Sequence, residues 1–179
     1  MDSEWTRSDV LSTAQSWWNA KTLRPHPGDR TSFRLLGLPT VCWRCRRPTT
    51  ALVGLLPADG RDVDDLITCA ARPVLAVAAA VLSEPVRQAG GVGVLRPRFS
   101  RTAGCWYLSN GCAWCDALLG DFHLYTEHLP RLIAEQGLAG LSVVAQVELS
   151  DRQVRVVYDH GTTWTGWWQC DQPPTGWLR

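Results

Sequence analysis

The chain has almost no lysine, no long run of like charge and no long apolar run. Of its 18 lysine and arginine residues only Lys21 is a lysine, and coding bias explains this as well as selection for phosphate binding does. No run reaches five like charges, which is typical of an ordinary solvated surface. The most apolar segment, residues 66–82, is interrupted by Arg72 and Pro73. It falls short of the roughly 20 residues that span a bilayer.

The motifs of several enzyme classes are also missing. There is no Gly-x-Ser-x-Gly, no Walker loop and no His-Glu-x-x-His, and the glycines at 90, 91 and 93 do not form a dinucleotide fingerprint. The first residues lack the basic and apolar regions of a secretory signal. Seven cysteines, an odd number, disfavour a complete disulfide framework. We therefore expect a cytoplasmic protein.

Two Cys-x-x-Cys pairs, Cys42 with Cys45 and Cys112 with Cys115, are the most informative feature present. One pair alone also fits a redox disulfide or unrelated buried thiols. Two pairs supply four thiolates, the ligand set of a tetrahedral structural zinc site. Four cysteine ligands leave no open coordination position, so the metal would be structural rather than catalytic. The sequence predicts one zinc ion per chain.

The spacing of the pairs predicts an interrupted ribbon. A compact zinc ribbon separates its cysteine turns, or knuckles, by about 15–20 residues, whereas here residues 46–111 lie between them. We expect an α+β fold, a split zinc ribbon of antiparallel strands with a helical insertion at about 49–98 and a C-terminal β-hairpin. Residues 1–30 would form an N-terminal helical arm, and residues 31–179 the zinc-containing domain.

Periodicity and turn residues predict the elements of this domain. Asp62 would cap a helix that continues to Leu82 with a kink or restart at Pro73. The hairpin would turn at Ser150-Asp151. The expected strands are 32–41, 50–56, 92–95, 99–108, 141–149, 153–158 and 162–168, and a short helix is expected at 129–136.

The second knuckle carries a family resemblance. Residues 110–122 read Asn-Gly-Cys-Ala-Trp-Cys-Asp-Ala-Leu-Leu-Gly-Asp-Phe. They resemble Asn-x-Cys-Pro-x-Cys-Gly-Ala-x-Gln-Gly-Asp-Phe of uncharacterised bacterial zinc-ribbon proteins, which follows a Cys-Trp-x-Cys knuckle there. The resemblance covers residues 33–45 and 99–124 and implies zinc and a ribbon, but no activity. The chain departs at Ala113, Asp116 and Leu119. Knuckle backbones often take positive φ at the position of Asp116, which Asp tolerates less well than Gly.

Charge and tryptophan content suggest a binding surface. Residues 1–48 hold eight basic and four acidic side chains, whereas residues 102–179 hold four basic and eight acidic ones. Each of the ten tryptophans has an N–H that needs a partner, so we expect some at surfaces or in grooves, although packing of the C-terminal ones onto the hairpin is the simpler alternative. We predict a non-enzymatic module that recognises a protein or a nucleic acid, with these binding residues: Trp43, Arg44, Arg46, Arg47, Trp114, Trp164, Trp167 and Trp168.

One alternative is a small biosynthetic or modifying enzyme with a pocket near the C-terminal Trp-rich segment. Three thiols lie outside the metal set: Cys69 is expected in the core, Cys105 on a strand and Cys170 exposed. The histidines at 123 and 128 could replace a ligand, but four thiols already satisfy the ion, so we expect them at the surface.

Overall fold

The computed structural model describes residues 31–161, which form an α+β structure with two antiparallel sheets. The predicted N-terminal arm, the predicted strand at 162–168, and Trp164, Trp167, Trp168 and Cys170 lie outside the described residues. The elements in chain order are β1 (Ser32–Val41), β2 (Pro48–Pro57), β3 (Ile67–Thr68), α1 (Arg72–Val81), α2 (Glu84–Ala89), β4 (Arg96–Ser100), β5 (Cys105–Gly111), β6 (Leu118–Leu119), α3 (Asp121–His123), α4 (Leu129–Gln136), β7 (Ser142–Glu148) and α5 (Asp151–Gly161).

The larger sheet has the strand order β3-β2-β1-β7, and its central strands are buried on both faces. In β1, Phe33 and Leu35 face a core formed with α1 and α5. Leu36 and Leu38 face a core formed with the helical segment, residues 121–136, in which a π-helix (Leu124–His128) connects α3 to α4. This alternation is what a strand covered on both sides shows. The predicted strands at 32–41 and 50–56 are confirmed.

The smaller sheet has the order β4-β5-β6 and carries the second knuckle. The strand predicted at 99–108 is wrong in detail, because residues 101–104 form the turn between β4 and β5, with Gly104 at φ 70°. The strand predicted at 92–95 is also wrong: within it only Val92 makes a bridge, parallel to Thr50.

The helix predicted from Asp62 to Leu82 is partly wrong. Asp62 does cap a helical turn, Val63–Asp65, through a capping box. Residues 67 and 68 then form β3, which pairs with Gly54 and Leu55 of β2. Helix α1 begins only at Arg72, with Pro73 in its first turn. Proline is favoured there because its missing N–H would have no intrahelical partner, so Pro73 starts this helix rather than kinking one.

The predicted C-terminal hairpin is wrong. Its first strand is β7, but β7 pairs with β1, and residues 151–161 form helix α5. The Ser150 N–H donates to Gln153 Oε1 at 2.9 Å, and the Gln153 N–H donates to Ser150 Oγ at 3.5 Å. This reciprocal capping box starts a helix. The short helix predicted at 129–136 is confirmed as α4, and Gly137 at φ 62° ends it.

Candidate functional site

The two knuckles have the same backbone hydrogen bonds. In the first, the Cys42 N–H donates to Arg47 O at 3.0 Å and the Arg46 N–H donates to Cys42 O at 2.9 Å. The second knuckle repeats both bonds, at 2.9 and 3.0 Å, with Cys112 and Asp116 as the donors. The first knuckle connects β1 to β2 and the second connects β5 to β6. Each sheet therefore presents one cysteine pair to the other.

The residue that follows each second cysteine has a left-handed backbone. Arg46 has φ 60° and Asp116 has φ 56°. The positive φ expected at position 116 is therefore confirmed, although an aspartate occupies it. Left-handed conformations are costly for residues with a Cβ, and Asp is among those that adopt them most readily.

The four thiols converge. The Sγ atoms of Cys42 and Cys115 are 3.6 Å apart, as are those of Cys45 and Cys112, and all four lie within 4.8 Å of one another. A tetrahedral ion with metal–sulfur bonds of about 2.3 Å requires sulfur atoms about 3.8 Å apart. Cys42 and Cys112 are buried, and none of the four is in a disulfide. The cluster therefore has the donor set and the approximate spacing of a tetrahedral metal site.

Electrostatics in the cluster favour a cation. Burial raises the pKa of Cys112, but hydrogen bonds from the backbone N–H groups of Cys115 and Trp114 outweigh it and lower this pKa to about 7. For Cys115 a backbone N–H lowers the pKa, yet burial and the three neighbouring thiols raise it to about 11. One thiolate is stabilised here, but further thiolates repel one another. A bound cation removes that repulsion.

Two tryptophans join the knuckles to each other. Trp43 Nε1 donates to Leu118 O, beyond the second knuckle, at 2.9 Å, and Trp114 Nε1 donates to Pro48 O, beyond the first, at 2.7 Å. The two residues remain 62 % and 55 % exposed. Both N–H groups thus have structural partners, and both side chains still reach the surface. The sequence predicted that some tryptophans are exposed, but not that Trp43 and Trp114 each donate a hydrogen bond to the other knuckle's strand.

Asp116 is held by two arginines of β4. Arg96 and Arg98 both form ion pairs with its carboxylate, and Arg98 is buried. Burial alone raises the pKa of Asp116, but the hydrogen bonds from Arg98 and Arg96 lower it below the usual value. Arg98 also donates to the Ser109 carbonyl at 2.8 Å. In the sequence, the only sign of this network is the aspartate at position 116, where the bacterial zinc-ribbon pattern that the knuckle resembles has glycine.

Asn110 links the two sheets. Its Oδ1 accepts from the Leu52 N–H at 2.7 Å, and its Nδ2 donates to Leu52 O at 3.0 Å. This side chain is fully buried. It gives the N–H and C=O groups of Leu52 the hydrogen bonds that a neighbouring strand would otherwise give them. The buried Thr49 Oγ1 accepts from the Ala113 N–H at 3.1 Å, a second link from β2 to the second knuckle.

The three predicted arginines of the first knuckle are exposed. Within residues 31–161, none of Arg44, Arg46 and Arg47 forms an ion pair. The Arg47 guanidinium lies 3.4 Å from the centroid of the Trp114 ring, a cation–π contact. Arg44 points to a different region, since it lines a cavity together with Trp43. Of the predicted binding residues within 31–161, Trp43 and Arg44 therefore line the cavity, whereas Arg47 lies against Trp114.

This cavity, of about 1230 Å³, lies between the first knuckle, the β4–β5 turn and the start of the helical segment. Its lining includes the buried Tyr107 and Asp121 and the half-buried Arg72. The Asp121 carboxylate pairs with Arg72, whose guanidinium lies 4.1 Å from the Tyr107 ring centroid. Burial raises the pKa of Asp121, and the charge of Arg72 partly offsets this. Neither Arg72 nor Asp121 has a site role in the sequence-based prediction, although Asp121 belongs to the knuckle pattern, because their pairing is long-range.

The other described thiols and histidines considered in the sequence analysis do not belong to the cysteine cluster. Cys69 is buried in the core, as expected, and burial together with the Asp121 charge raises the pKa of its thiol well above the usual range. Cys105 begins β5. His123 is exposed and 3.0 Å from Glu127, and His128 is exposed, so neither is among the clustered ligands. Across the described span, 31–161, no helix is long and apolar enough to cross a membrane.

Comparison of the chain with protein-family models, with curated proteins and with solved structures gives no match. The resemblance of the knuckles to bacterial zinc-ribbon proteins therefore stays a prediction. The enzymatic alternative does so too, since its C-terminal pocket would include residues outside the described part.

Proposed function

We propose that this chain is a non-enzymatic binding module, stabilised by one structural zinc ion, that recognises a macromolecule through the surface around its knuckles. The observation that carries the proposal is the placement of exposed arginines and tryptophans directly on the cysteine centre. A metal that fixes both knuckles fixes these side chains as well. The cytoplasmic location stays a prediction.

Zinc is the ion that the donor set supports best. Four thiolates in a tetrahedral arrangement suit zinc or iron. Zinc is the usual ion of structural sites built from four cysteines and leaves no position open for catalysis. Elemental analysis of purified protein should give one zinc per chain, and Cys112→Ser should abolish it. Absence of zinc, or the visible absorption of an iron–thiolate centre, would contradict this assignment.

Single-stranded nucleic acid is the partner that this surface supports best. Guanidinium groups without an acidic partner suit phosphates, and exposed indole rings suit base stacking. Because the net charge is only +1, we do not expect strong nonspecific binding to nucleic acid. The affinity for a single strand would therefore depend on these local arginines and tryptophans. A protein partner is the competing outcome of the test.

The test compares two pairs of arginines. Fluorescence anisotropy with a labelled single-stranded 12-mer is measured on the zinc-loaded full chain over a salt titration. Arg46→Ala with Arg47→Ala should weaken binding about tenfold and reduce the salt slope by about 1.4, since each single-strand phosphate contact contributes about 0.7. The matched control is Arg152→Ala with Arg155→Ala, two exposed arginines of α5. No binding by the parent chain, or equal effects of both pairs, would contradict the nucleic-acid proposal.

A further inference from the structure

Cys105 differs from the other cysteines of the described range, because it is in a disulfide. The others are free thiols: Cys42, Cys45, Cys69, Cys112 and Cys115. The chain has seven cysteines, and the one that remains is Cys170, which lies outside the described residues. By count, Cys170 is therefore the partner within this chain that is left for Cys105.

Accessibility agrees with this pairing. Cys105 is half-buried and lines the cavity, so a small oxidant can reach its side chain. Cys69 is 1 % exposed, and burial, followed by the Asp121 charge, raises the pKa of its thiol well above the usual range. Thiol–disulfide exchange needs an accessible thiolate, so Cys69 does not compete. The other four thiols converge in the cysteine cluster, where a bound cation would hold them.

Helix α5 ends beside the start of α1. Gly161, its last residue, packs so closely against Ile67 that a side chain at position 161 would overlap it. Gly161 also lies beside Val74, the third residue of α1. The chain beyond Gly161 therefore begins next to the first turn of α1.

The same turn of α1 contacts the strand that carries Cys105. The Arg72 guanidinium lies 4.1 Å from the centroid of the Tyr107 ring. Cys105 precedes Tyr107 by two residues on the same face of β5, about 7 Å along the strand. Residues 162–170 can extend over about 30 Å, which is enough to bring Cys170 from the end of α5 to Cys105.

We propose that Cys105 and Cys170 form a reversible disulfide within one chain, a redox site separate from the cysteine cluster. The oxidant is a low-molecular-weight disulfide such as oxidised glutathione. One protein thiolate attacks it and releases a small thiolate, and the second protein thiolate then attacks the mixed disulfide and releases the other. The two protein thiols lose two protons and two electrons, and the small disulfide is reduced to two thiols. Because thiols in a cytoplasm are kept reduced, we expect the bond to form under oxidising conditions there.

The bond would connect the two sheets at a place apart from the cysteine cluster. Cys105 belongs to the smaller sheet, whereas Tyr158 of α5 belongs to the core of the larger sheet. Because Cys105 lines the cavity, the bond would also bring Cys170 to it. Neither Arg47 nor Trp114 lines this cavity. The bond is therefore independent of the proposed nucleic-acid binding at those residues.

The test follows this one bond. The zinc-loaded full chain is equilibrated in glutathione buffers of increasing oxidised fraction, quenched with acid, and alkylated in denaturant with chelator. The reduced chain should take up seven alkyl groups and the oxidised chain two fewer. Chymotrypsin cleaves after Trp106 and so separates Cys105 from Cys112, and mass spectrometry of the unreduced digest should show Cys105 linked to Cys170. Seven alkyl groups at every ratio, linkage of another pair, or a disulfide-linked dimer overturns the proposal.

Variants and a denatured control show whether the fold sets the pairing. Cys105→Ser and Cys170→Ser should each abolish the linkage and keep the bound zinc, whereas Cys69→Ala should keep the linkage. In the denatured, metal-free chain, half-formation of the same linkage should need at least about a tenfold higher ratio of oxidised to reduced glutathione, because the fold no longer holds the two thiols near each other. Equal ratios for the native and denatured chains would overturn the proposal.

Discussion

At the position that follows the second cysteine of each knuckle, two different residues share one backbone conformation. Arg46 has an exposed side chain that pairs with no acid of the described range, whereas the Asp116 carboxylate binds two arginines. A left-handed backbone costs about 1–2 kcal/mol for a residue with a Cβ. The cost is therefore similar at both positions, but only at Asp116 do side-chain interactions offset it.

Glycine at each of these positions should have opposite effects. Arg46→Gly should leave the free energy of unfolding unchanged or raise it by up to about 1 kcal/mol, because glycine adopts positive φ readily. Asp116→Gly should lower it by about 3 kcal/mol, because the buried Arg98 would lose its carboxylate. Urea unfolding of the zinc-loaded variants measures both values. Stabilisation by Asp116→Gly would show that backbone strain, not the ion pairs, dominates there.

At the scale of elements, helix α5 depends on its first residues. The reciprocal bonds of Ser150 and Gln153 satisfy N–H groups that the helix leaves without intrahelical partners. Ser150→Ala should lower the free energy of unfolding by about 1 kcal/mol, measured by urea denaturation. The control is Ser83→Ala, because Ser83 precedes α2 without a side-chain capping bond. Equal losses from both variants would contradict a specific role of the capping box.

The elements that the sequence predicted are those fixed by local signals. Strand β1 contains a short apolar run, Leu35 to Leu38, all of it buried, and Gly137 ends α4 where a glycine C-cap is expected. The prediction of a strand in place of helix α5 is wrong because the alternating Val154, Val156 and Tyr158 resemble a strand, whereas the capping box at Ser150 outweighs that pattern.

Other features depend on contacts between distant residues. Strand β3 forms because β2 offers an edge to it, and no local pattern shows that. The convergence of four cysteines was predictable from spacing, since Cys-x-x-Cys turns are self-contained. The bond from Trp43 to Leu118 and the pairing of Arg72 with Asp121 each need the fold before they can be seen.

For the whole molecule, the cysteine centre joins two sheets that share little packing: Leu119 of β6 belongs to one large apolar cluster, and Leu108 of β5 packs against the other. The two large apolar clusters contain none of the four ligands, whereas Cys42, Cys112 and Ala117 form a small cluster of their own. Besides the cysteine cluster, the links between the sheets include Asn110, Thr49 and the tryptophan bonds. The larger sheet therefore has an extensive core without the cysteine centre, whereas the smaller sheet contributes only Leu108 and Leu119 to the large clusters and would depend more on a bound metal.

Metal removal should open the molecule unevenly. With chelator, the repulsion among clustered thiolates is no longer neutralised, so we expect β4, β5 and β6 to lose hydrogen-exchange protection while β1, β2 and α1 keep most of theirs. Cys112→Ser with Cys115→Ser should reproduce this pattern without chelator, which excludes an effect of the chelator itself. Uniform loss of protection along residues 31–161 would mean that the metal supports both cores. Unchanged protection would mean that Asn110, Thr49 and the tryptophans suffice to hold the sheets together.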